Sequence, residues 1–507
     1  MKAGEYQPGP VRIAFGPTAL LVALGVTGRA DTSRTARLLL TEWFAPVRRP
    51  MQQAATVVAR GLSRGIPVLE PSTAGIFRII FGIALIVFFA TRPIDSARLN
   101  NMFHAQIDGE LHALVLQWLQ GHPSVMDLLT PWLLTMAVAV TAGIYTRLTY
   151  ALLVAAAVVW AFGAVAVDNA HPHSTLILTM IALLPSHWGD AMSVDSWFRR
   201  RTRRNRTQPA SKRYGYSAWV PGVVFGVAFA AAAWAKLAPN GIAWVLNGSV
   251  KYHFITDSAN ASVDWGLRLA AHPLLAILAS LMAVTIEAAV ITAAFMQSQW
   301  YRLAMGLGGL TLMMGFQLFM GVFWPGWWIL LLGFLPWQQL ERLPMRGTSG
   351  DARSGLLAAV SVTPAQVALI VFIISQQVIT SLLAVERAPM FSNYPMYATT
   401  YASPAAFNAS RGLSYRIIVV TDGDRVALSC NPTGEIVDEF RAALQGSAVA
   451  AAGVWRAVLA CRPDLVRARQ VTFEQTRPVF DWNTLKFTSD MPTIIGTLER
   501  TGNNRGD

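Results

Sequence analysis

The chain has few charged residues and almost no cysteine. Charged side chains make up 14% of its 507 residues, against roughly 25% in a typical soluble domain, while hydrophobic residues make up 53%. Its two cysteines, Cys430 and Cys461, do not have the Cys-x-x-Cys spacing of a redox centre. The sequence also contains no Gly-rich phosphate loop, nucleophile elbow or zinc-protease motif. This composition predicts an integral membrane protein.

Basic residues outnumber acidic ones, which gives a net charge of +13. They cluster in short loops beside apolar segments, as in the run from Arg199 to Arg213. A positive-inside topology explains this pattern better than nucleic-acid binding does. We therefore expect membrane lipid, and no nucleic acid, as a partner.

Nine apolar runs are candidate transmembrane helices, because about 20 apolar residues cross a bilayer. They predict a polytopic α-helical protein of the cell membrane with about nine spans. Counted alternately, the basic loops all fall on one side, so the N-terminus is predicted to be cytoplasmic and the C-terminal domain extracytoplasmic. The runs are residues 72–91, 129–145, 149–167, 174–187, 217–238, 273–296, 302–322, 324–340 and 364–385.

Three regions follow from this division. Residues 1–71 form a basic cytoplasmic region in which Leu38 to Leu62 is predicted to be an amphipathic helix on anionic lipid. Residues 72–386 form the transmembrane domain. Residues 387–507 form a small extracytoplasmic α/β domain, and the segment Met390 to Tyr397 before it is expected to pack on the outer surface of the membrane domain.

The C-terminal region has both strand and helix patterns. Strands are predicted at Leu413 to Thr421, Arg425 to Cys430 and Val471 to Phe480, and helices at Gly434 to Leu444 and Ala448 to Ala460. In an exported domain Cys430 and Cys461 are expected to form a disulfide, and two free buried thiols are the alternative.

Lys236 ends an apolar run that begins at Trp219. An ammonium at membrane depth costs roughly 2.5 kcal/mol or more unless it reaches the interface or a polar cavity. The residue therefore either snorkels or lines a functional cavity. No acidic residue lies within a helical turn of Lys236, and burial without such a partner favours the neutral amine, which can accept a proton.

Other polar residues in apolar surroundings are also candidates. Glu287 lies in mid-span and is expected to be either protonated or paired across helices, with a functional or a structural role. Arg78 is expected to snorkel or to pair with a helix end. His171 and His173 lack a third strong ligand, so no metal site is predicted.

The segment Ala233 to Gly248 contains Ala-Trp-Ala-Lys-Leu followed by Trp244 and Gly248. It resembles the signature of the vitamin K-dependent γ-carboxylase-like (HTTM) membrane domain. Three further stretches, Phe77 to Gly82, His173 to Leu176 and Gly189 to Asp195, resemble other motifs of that family in the same order. The resemblance covers roughly residues 70–345 and suggests a bacterial inner-membrane protein.

The resemblance implies roles for particular residues. Lys236 would be the catalytic base that deprotonates a lipid quinol such as menaquinol, and His173 would orient the substrate. From their position beside Lys236 rather than from the resemblance, Trp244, Asn247, Tyr252 and His253 are expected to line the substrate site together with Glu287 and Gln317, although for the first four an aromatic belt is the alternative. Gln317 stands where the family usually has a histidine, and Gln317 cannot titrate.

Two classes of function follow. The chain is either a quinol-dependent oxidoreductase or carboxylase-like enzyme, or a non-catalytic membrane scaffold or assembly factor that displays its C-terminal domain to exported protein partners. Lys236 and His173 favour the enzyme, whereas Gln317 favours the scaffold.

Overall fold

The computed structural model describes most of the chain after residue 63. The described residues are 61, 64–94, 110–167, 171–202, 209–340, 362–385, 387, 389–392, 394, 396–411, 414–421, 425–428, 434–489 and 492–500. The predicted amphipathic helix at Leu38 to Leu62 lies outside these residues, apart from Gly61.

Seven helices in the described part of the chain are long and apolar enough to cross a membrane. Proline occupies the first turn of several of them, where its missing N–H needs no partner, and Gly143 and Gly321 end two of them in the left-handed conformation. The seven are Pro71–Thr91 (α1), Pro123–Ala142 (α3), Thr146–Val167 (α4), Lys212–Asn240 (α7), Pro273–Ala289 (α11, extended by the 3-10 turn Val290–Ala294), Gln299–Met320 (α12) and Pro364–Leu382 (α15).

The other two predicted spans are short helices. They are His171–Ala182 (α5) and Pro325–Leu330 (α13), the latter extended by the 3-10 turn Leu331–Phe334. Twelve helical residues reach only about 18 Å, whereas the hydrocarbon core is about 30 Å thick. The two short helices pack against each other and against α7. Among the described residues, seven of the nine predicted spans are thus helices long enough to cross a membrane, and the other two are short apolar helices.

Hydrogen bonds between helix ends define one end of the bundle, here called the basic end. The Tyr216 hydroxyl near the start of α7 donates to the carbonyl of Ala182 at the end of α5. The Trp219 indole donates to Ala294 O, and Arg302 donates to Gly333 O. Both short helices thus run toward the basic end, and Arg147, Arg199, Arg213 and Arg302 lie there together. The opposite end, here called the Lys236 end, contains the last turn of α7.

Shorter helices connect or flank the spans. They are Glu110–Gly121 (α2), Val194–Thr202 (α6), Ala243–Leu246 (α8), Val250–Thr256 (α9), Trp265–Ala270 (α10) and Trp337–Leu340 (α14), with the 3-10 turn Ser258–Asn260. The helices α8 to α10 lie between α7 and α11, on the Lys236 side of the bundle.

The C-terminal region contains a four-stranded antiparallel sheet with strand order β2-β1-β3-β6 and a separate hairpin β4-β5. Its core includes Val419, Phe440, Val454, Val471 and Phe473, to which strands and helices both contribute. The elements are β1 Ser414–Val420, β2 Arg425–Ala427, β3 Gln470–Thr476, β4 Pro478–Asp481, β5 Lys486–Ser489, β6 Thr493–Glu499, α16 Pro404–Ser410, α17 Gly434–Leu444, α18 Ala448–Cys461 and the 3-10 turn Pro463–Arg467.

The predicted disulfide is not present among the described residues. Cys430 lies outside them, and Cys461 is the last residue of α18. Pairing of the two cysteines therefore stays a prediction.

Candidate functional site: a buried lysine and glutamate beneath a chain segment

Lys236 forms an ion pair with Glu287. The ammonium nitrogen Nζ lies 2.9 Å from Oε1 and 2.9 Å from Oε2 of the carboxylate. Both side chains are buried, with 2% and 1% of their surface exposed. Lys236 Nζ also lies 3.5 Å from Ala232 O and 5.6 Å from the centre of the Trp244 ring. Lys236 therefore does not snorkel, and its acidic partner comes from another helix, since its own helix has no acidic residue within a turn of it.

The local sequence of each helix explains why the two charges meet. On α11 the buried residues are Ala276, Ser280, Ala283, Val284 and Glu287, which recur with the i, i+4, i+7, i+8 and i+11 spacing of one helix face. This spacing places Glu287 on the face that packs against α7. Lys236 belongs to the last turns of α7, a helix buried along most of its length. Of the two expected states of Glu287, the structure shows pairing across helices.

A segment from the C-terminal part of the chain covers this end of α7. Residues 396–400, here called the closing segment, present three successive backbone carbonyls to side chains of the membrane domain. Trp244 Nε1 donates to Tyr397 O at 3.1 Å, and Asn240 Nδ2 donates to Ala398 O at 2.9 Å. The ring nitrogen Nε2 of His253 lies 3.0 Å from Thr399 O.

The chain just before the closing segment is buried in the membrane domain. Tyr394 has none of its surface exposed, and its hydroxyl lies 2.9 Å from Ser174 Oγ on α5. Its ring contacts Trp327. The described residues between Met390 and Tyr397 pack on the membrane domain, and Tyr394 and Met396 enter the same hydrophobic core as the spans.

Tyr397 connects the closing segment to three elements. Its ring lies 5.0 Å from that of His253, 5.6 Å from that of Phe316 and 6.3 Å from that of Trp324. Its φ of 57° is in the left-handed region, which is uncommon for a bulky residue. Conformations of this kind persist only where the surrounding contacts impose them. The contacts of Tyr397 thus fix the closing segment in position.

The titratable groups next to Tyr397 are shifted toward their neutral forms. Burial lowers the pKa of His253 to about 4, and the charge of Lys236 acts in the same direction. Burial raises the pKa of Asp257, which a hydrogen bond from Tyr397 partly opposes. Burial and the neighbouring Asp257 raise the pKa of Tyr397. At neutral pH the imidazole of His253 and the phenol of Tyr397 are therefore uncharged.

Two other predicted site residues, His173 and Gln317, lie on α5 and α12. His173 is buried with its ring 5.2 Å from that of Trp160. Gln317 is exposed on α12, and its neighbour Phe316 is the residue that faces inward.

The remaining two predicted residues flank the site. Asn247 ends α8, where its N–H donates to Ala243 O. Tyr252 is 1% exposed and packs against Tyr401, Phe407 and Trp482 of the C-terminal region. Tyr252 thus joins the membrane domain to the C-terminal domain.

Asn240, Asp257 and Tyr397 belong to the site, although the sequence did not single them out. Asn240 bridges the closing segment to Lys236 O. The Pro-Asn pair after Lys236 was visible as a polar break, but no periodicity connects it with residues 158 positions away. Asp257 and Tyr397 are paired only by the tertiary fold.

Two of the family-like motifs have structural roles at the basic end. Arg78 is fully buried and donates to the carbonyls of Trp188, Thr141 and Met192. It therefore pairs with helix ends, one of the two expectations, and does not snorkel. In the turn from Gly189 to Asp195, Asp195 accepts bonds from the N–H groups of Tyr145 and Thr146 at the start of α4.

No group of three metal-ligating side chains is found among the described residues. Comparison of the chain with protein-family models, with curated proteins and with solved structures found no match. The family resemblance therefore rests on the sequence motifs given above.

Proposed function

We propose that this chain is a multi-pass membrane protein in which Lys236 and Glu287 act as a buried acid–base pair on a lipid quinol, in the manner that the γ-carboxylase-like motifs imply. The observation that supports this proposal is the contact of Nζ with both carboxylate oxygens, 2.9 Å each, in a buried setting. Ionisable residues held at membrane depth mark functional sites more often than structural ones.

The pair supplies what a base at this position needs. An ammonium cannot accept a proton, so the resting ion pair must first move one proton from Lys236 Nζ to a Glu287 oxygen. Both groups are then neutral, and the pair no longer carries a charge separation in a water-poor environment. The amine can then accept the hydroxyl proton of a quinol: the quinol O–H bond breaks, an N–H bond forms, and the quinolate is left for oxidation. The family resemblance implies dioxygen as the oxidant.

The site faces the predicted extracytoplasmic side. The basic end, with Arg147, Arg199, Arg213 and Arg302, is assigned to the cytoplasm by the positive-inside rule. Lys236 and the closing segment lie at the other end. A quinol would therefore reach Lys236 from the outer leaflet, and the closing segment would have to move or leave a lateral opening for it.

Quinol turnover by the purified full-length protein in lipid nanodiscs tests the proposal. We would supply menaquinol, follow quinone formation by absorbance and dioxygen uptake with an electrode, and repeat the assay without oxygen. The substitution Lys236→Met keeps the bulk and removes the amine, so turnover should fall to the protein-free rate. The variant Arg268→Gln, at an exposed ion pair with Asp264, should leave turnover unchanged.

The second function, a non-catalytic scaffold that presents its C-terminal domain to exported proteins, has one observation in its favour. The amine of Lys236 is already engaged in an ion pair with Glu287. Gln317, which stands where the family usually has a histidine, is exposed on α12. A wild-type protein that neither oxidises quinols nor retains a quinone through purification would reject the enzyme and leave the scaffold.

A further inference from the structure

A second site lies at the basic end, far from Lys236 along α7. A cavity of about 600 Å³ opens between the start of α4 and the turn that leads into α6. Charged, aromatic and aliphatic side chains line it together, so it is neither a simple polar cleft nor an apolar groove. Its lining includes Ile144, Arg147, Leu148, His187, Asp195 and Arg199.

The carboxylates of this cavity are already engaged. Asp195 Oδ1 accepts from Tyr145 N, and Asp195 Oδ2 accepts from the N–H and hydroxyl of Thr146, each at 2.8 Å. Asp190 accepts from Arg213 and from Tyr214. Asp190 also lies 3.5 Å from Nη1 of Arg199, so Arg213 and Arg199 share this carboxylate.

Two arginines keep positive charge available. Arg147 is exposed and makes no hydrogen bond or ion pair with any residue that the structure describes. Arg199 donates to Gly189 O at 2.7 Å, which holds its guanidinium against the cavity wall, while 56% of its side chain stays exposed. Burial lowers the pKa of His187 to about 4, so its ring is a neutral hydrogen-bonding group at physiological pH. With Arg213, which pairs with the lining residue Asp190, three arginines stand beside two aspartates, so the region of the cavity has an excess of one positive charge that suits an anion.

An exposed apolar surface continues from the cavity along the outer face of α4. Leu148 and Leu152, one turn apart on α4, are 61% and 39% exposed, and Ile144 at the rim is 40% exposed. On α6, Trp197 and Phe198 are also exposed, and the guanidinium of Arg201 stacks 3.8 Å above the Trp197 ring. Tryptophan and arginine together are typical of the membrane–water interface.

We propose that this cavity binds the headgroup phosphate of an anionic glycerophospholipid, with Arg147 and Arg199 on the phosphate and an acyl chain along Ile144, Leu148 and Leu152. A soluble phosphate compound would use the arginines but would leave the exposed aliphatic residues without a partner. The start of α4 is not itself the binding group, because Asp195 occupies its N–H groups. The inference does not depend on the proposed chemistry at Lys236.

Native mass spectrometry of the full-length protein in detergent tests the inference. We would add phosphatidylglycerol or phosphatidylcholine in increasing amounts and measure the bound fraction. An arginine near anionic lipid contributes about 1 kcal/mol, or roughly fivefold in affinity. Arg147→Gln and Arg199→Gln should each weaken phosphatidylglycerol binding by about fivefold and leave phosphatidylcholine binding unchanged. Arg268→Gln, at the Lys236 end, should change neither.

Competition identifies the source of the phosphate. Excess inorganic phosphate or glycerol phosphate should displace little of the bound phosphatidylglycerol, and Leu148→Asn should weaken lipid binding although it leaves both arginines in place. Equal retention of the two lipids, full displacement by glycerol phosphate, or unchanged binding in the double variant Arg147→Gln/Arg199→Gln would each overturn the proposal. A circular dichroism spectrum like that of the wild type would show that a variant with reduced binding is folded.

Discussion

Lys236 and Glu287, which are 51 residues apart in the chain, share one buried ion pair with Nζ 2.9 Å from each carboxylate oxygen. Neither side chain can lose its partner without leaving a charge in an apolar interior. This relationship makes the pair both a stability element and the candidate catalytic group, and the two roles are separable by experiment.

Removal of one member should destabilise the protein more than removal of both. Lys236→Met or Glu287→Gln alone strands a buried charge, which costs about 3–5 kcal/mol, whereas an apolar replacement of both members is often close to neutral. The double variant Lys236→Met/Glu287→Leu should therefore recover most of the lost unfolding free energy. Reversible unfolding in detergent, analysed as a double-mutant cycle, measures this. Losses that simply add would show that the two side chains are not coupled.

Stability should rise with pH between about 4 and 6.5 because of His253. The folded-state pKa of His253 is about 4, below the ordinary value of about 6.5. In this window the unfolded chain binds more protons than the folded one, so the stabilising contribution is lost as the pH falls. His253→Gln should reduce the slope of unfolding free energy against pH, by at most about 1.4 kcal/mol for each pH unit.

His187 is a second histidine with the same sign of pKa shift, at the basic end. His187→Gln should also reduce the slope, and the effects of the two substitutions should add because the residues lie at opposite ends. The exposed Asn260, changed to Gln, is the control and should keep the wild-type slope. If His253→Gln kept the wild-type slope of unfolding free energy against pH, the lowered pKa assigned to His253 would be contradicted.

Trp244 should hold the closing segment in place through one hydrogen bond. Trp244→Phe keeps an aromatic ring but removes the Nε1 donor to Tyr397 O. A hydrogen bond of this kind contributes about 0.5–1.5 kcal/mol, so opening of residues 396–400 should become roughly two- to tenfold more frequent. Amide hydrogen exchange of this peptide measures the change. The exposed Trp265, changed to Phe, should leave exchange of the closing segment unchanged, and equal effects from the two variants would contradict the prediction.

Opposite ends of the bundle should be accessible from opposite sides of the membrane. In a background of Cys430→Ser and Cys461→Ser, Asn260→Cys should react with a membrane-impermeant maleimide in intact cells. Ala210→Cys, in the loop at the basic end, should react only after the cells are opened. Labelling of Ala210→Cys from outside would reverse the proposed orientation.

The predicted disulfide can be tested by thiol alkylation, with the Cys430→Ser/Cys461→Ser variant as the control that has no thiol. Alkylation of denatured wild-type protein should increase when a reductant is added first, because the predicted disulfide would otherwise block both thiols. Equal alkylation with and without reductant would show two free thiols.

The sequence alone located the long apolar helices, together with β1 to β3 and the two longer helices of the C-terminal region, but it did not predict the short helices α2, α6, α8 to α10 and α16 or the strands β5 and β6. Apolar composition and length decide where a helix lies in a membrane, and these are local properties of the chain. The strand predicted at Leu413 to Thr421 is β1, and its predicted partner after Arg425 is β2. The helices predicted at Gly434 to Leu444 and Ala448 to Ala460 are α17 and α18. The cost of a buried ammonium also singled out Lys236 without a structure.

Only the tertiary structure decided which residues share a site. It paired Lys236 with Glu287, turned Gln317 outward, assigned Tyr252 to the contact with the C-terminal domain, and brought Tyr397 against His253. The physical reason is that an ion pair or a hydrogen bond depends on distance in space, and helix packing sets that distance between residues with no fixed separation in sequence. The lengths of α5 and α13 were likewise unreadable from hydropathy, because the apolar sequence outlasts the helix in both.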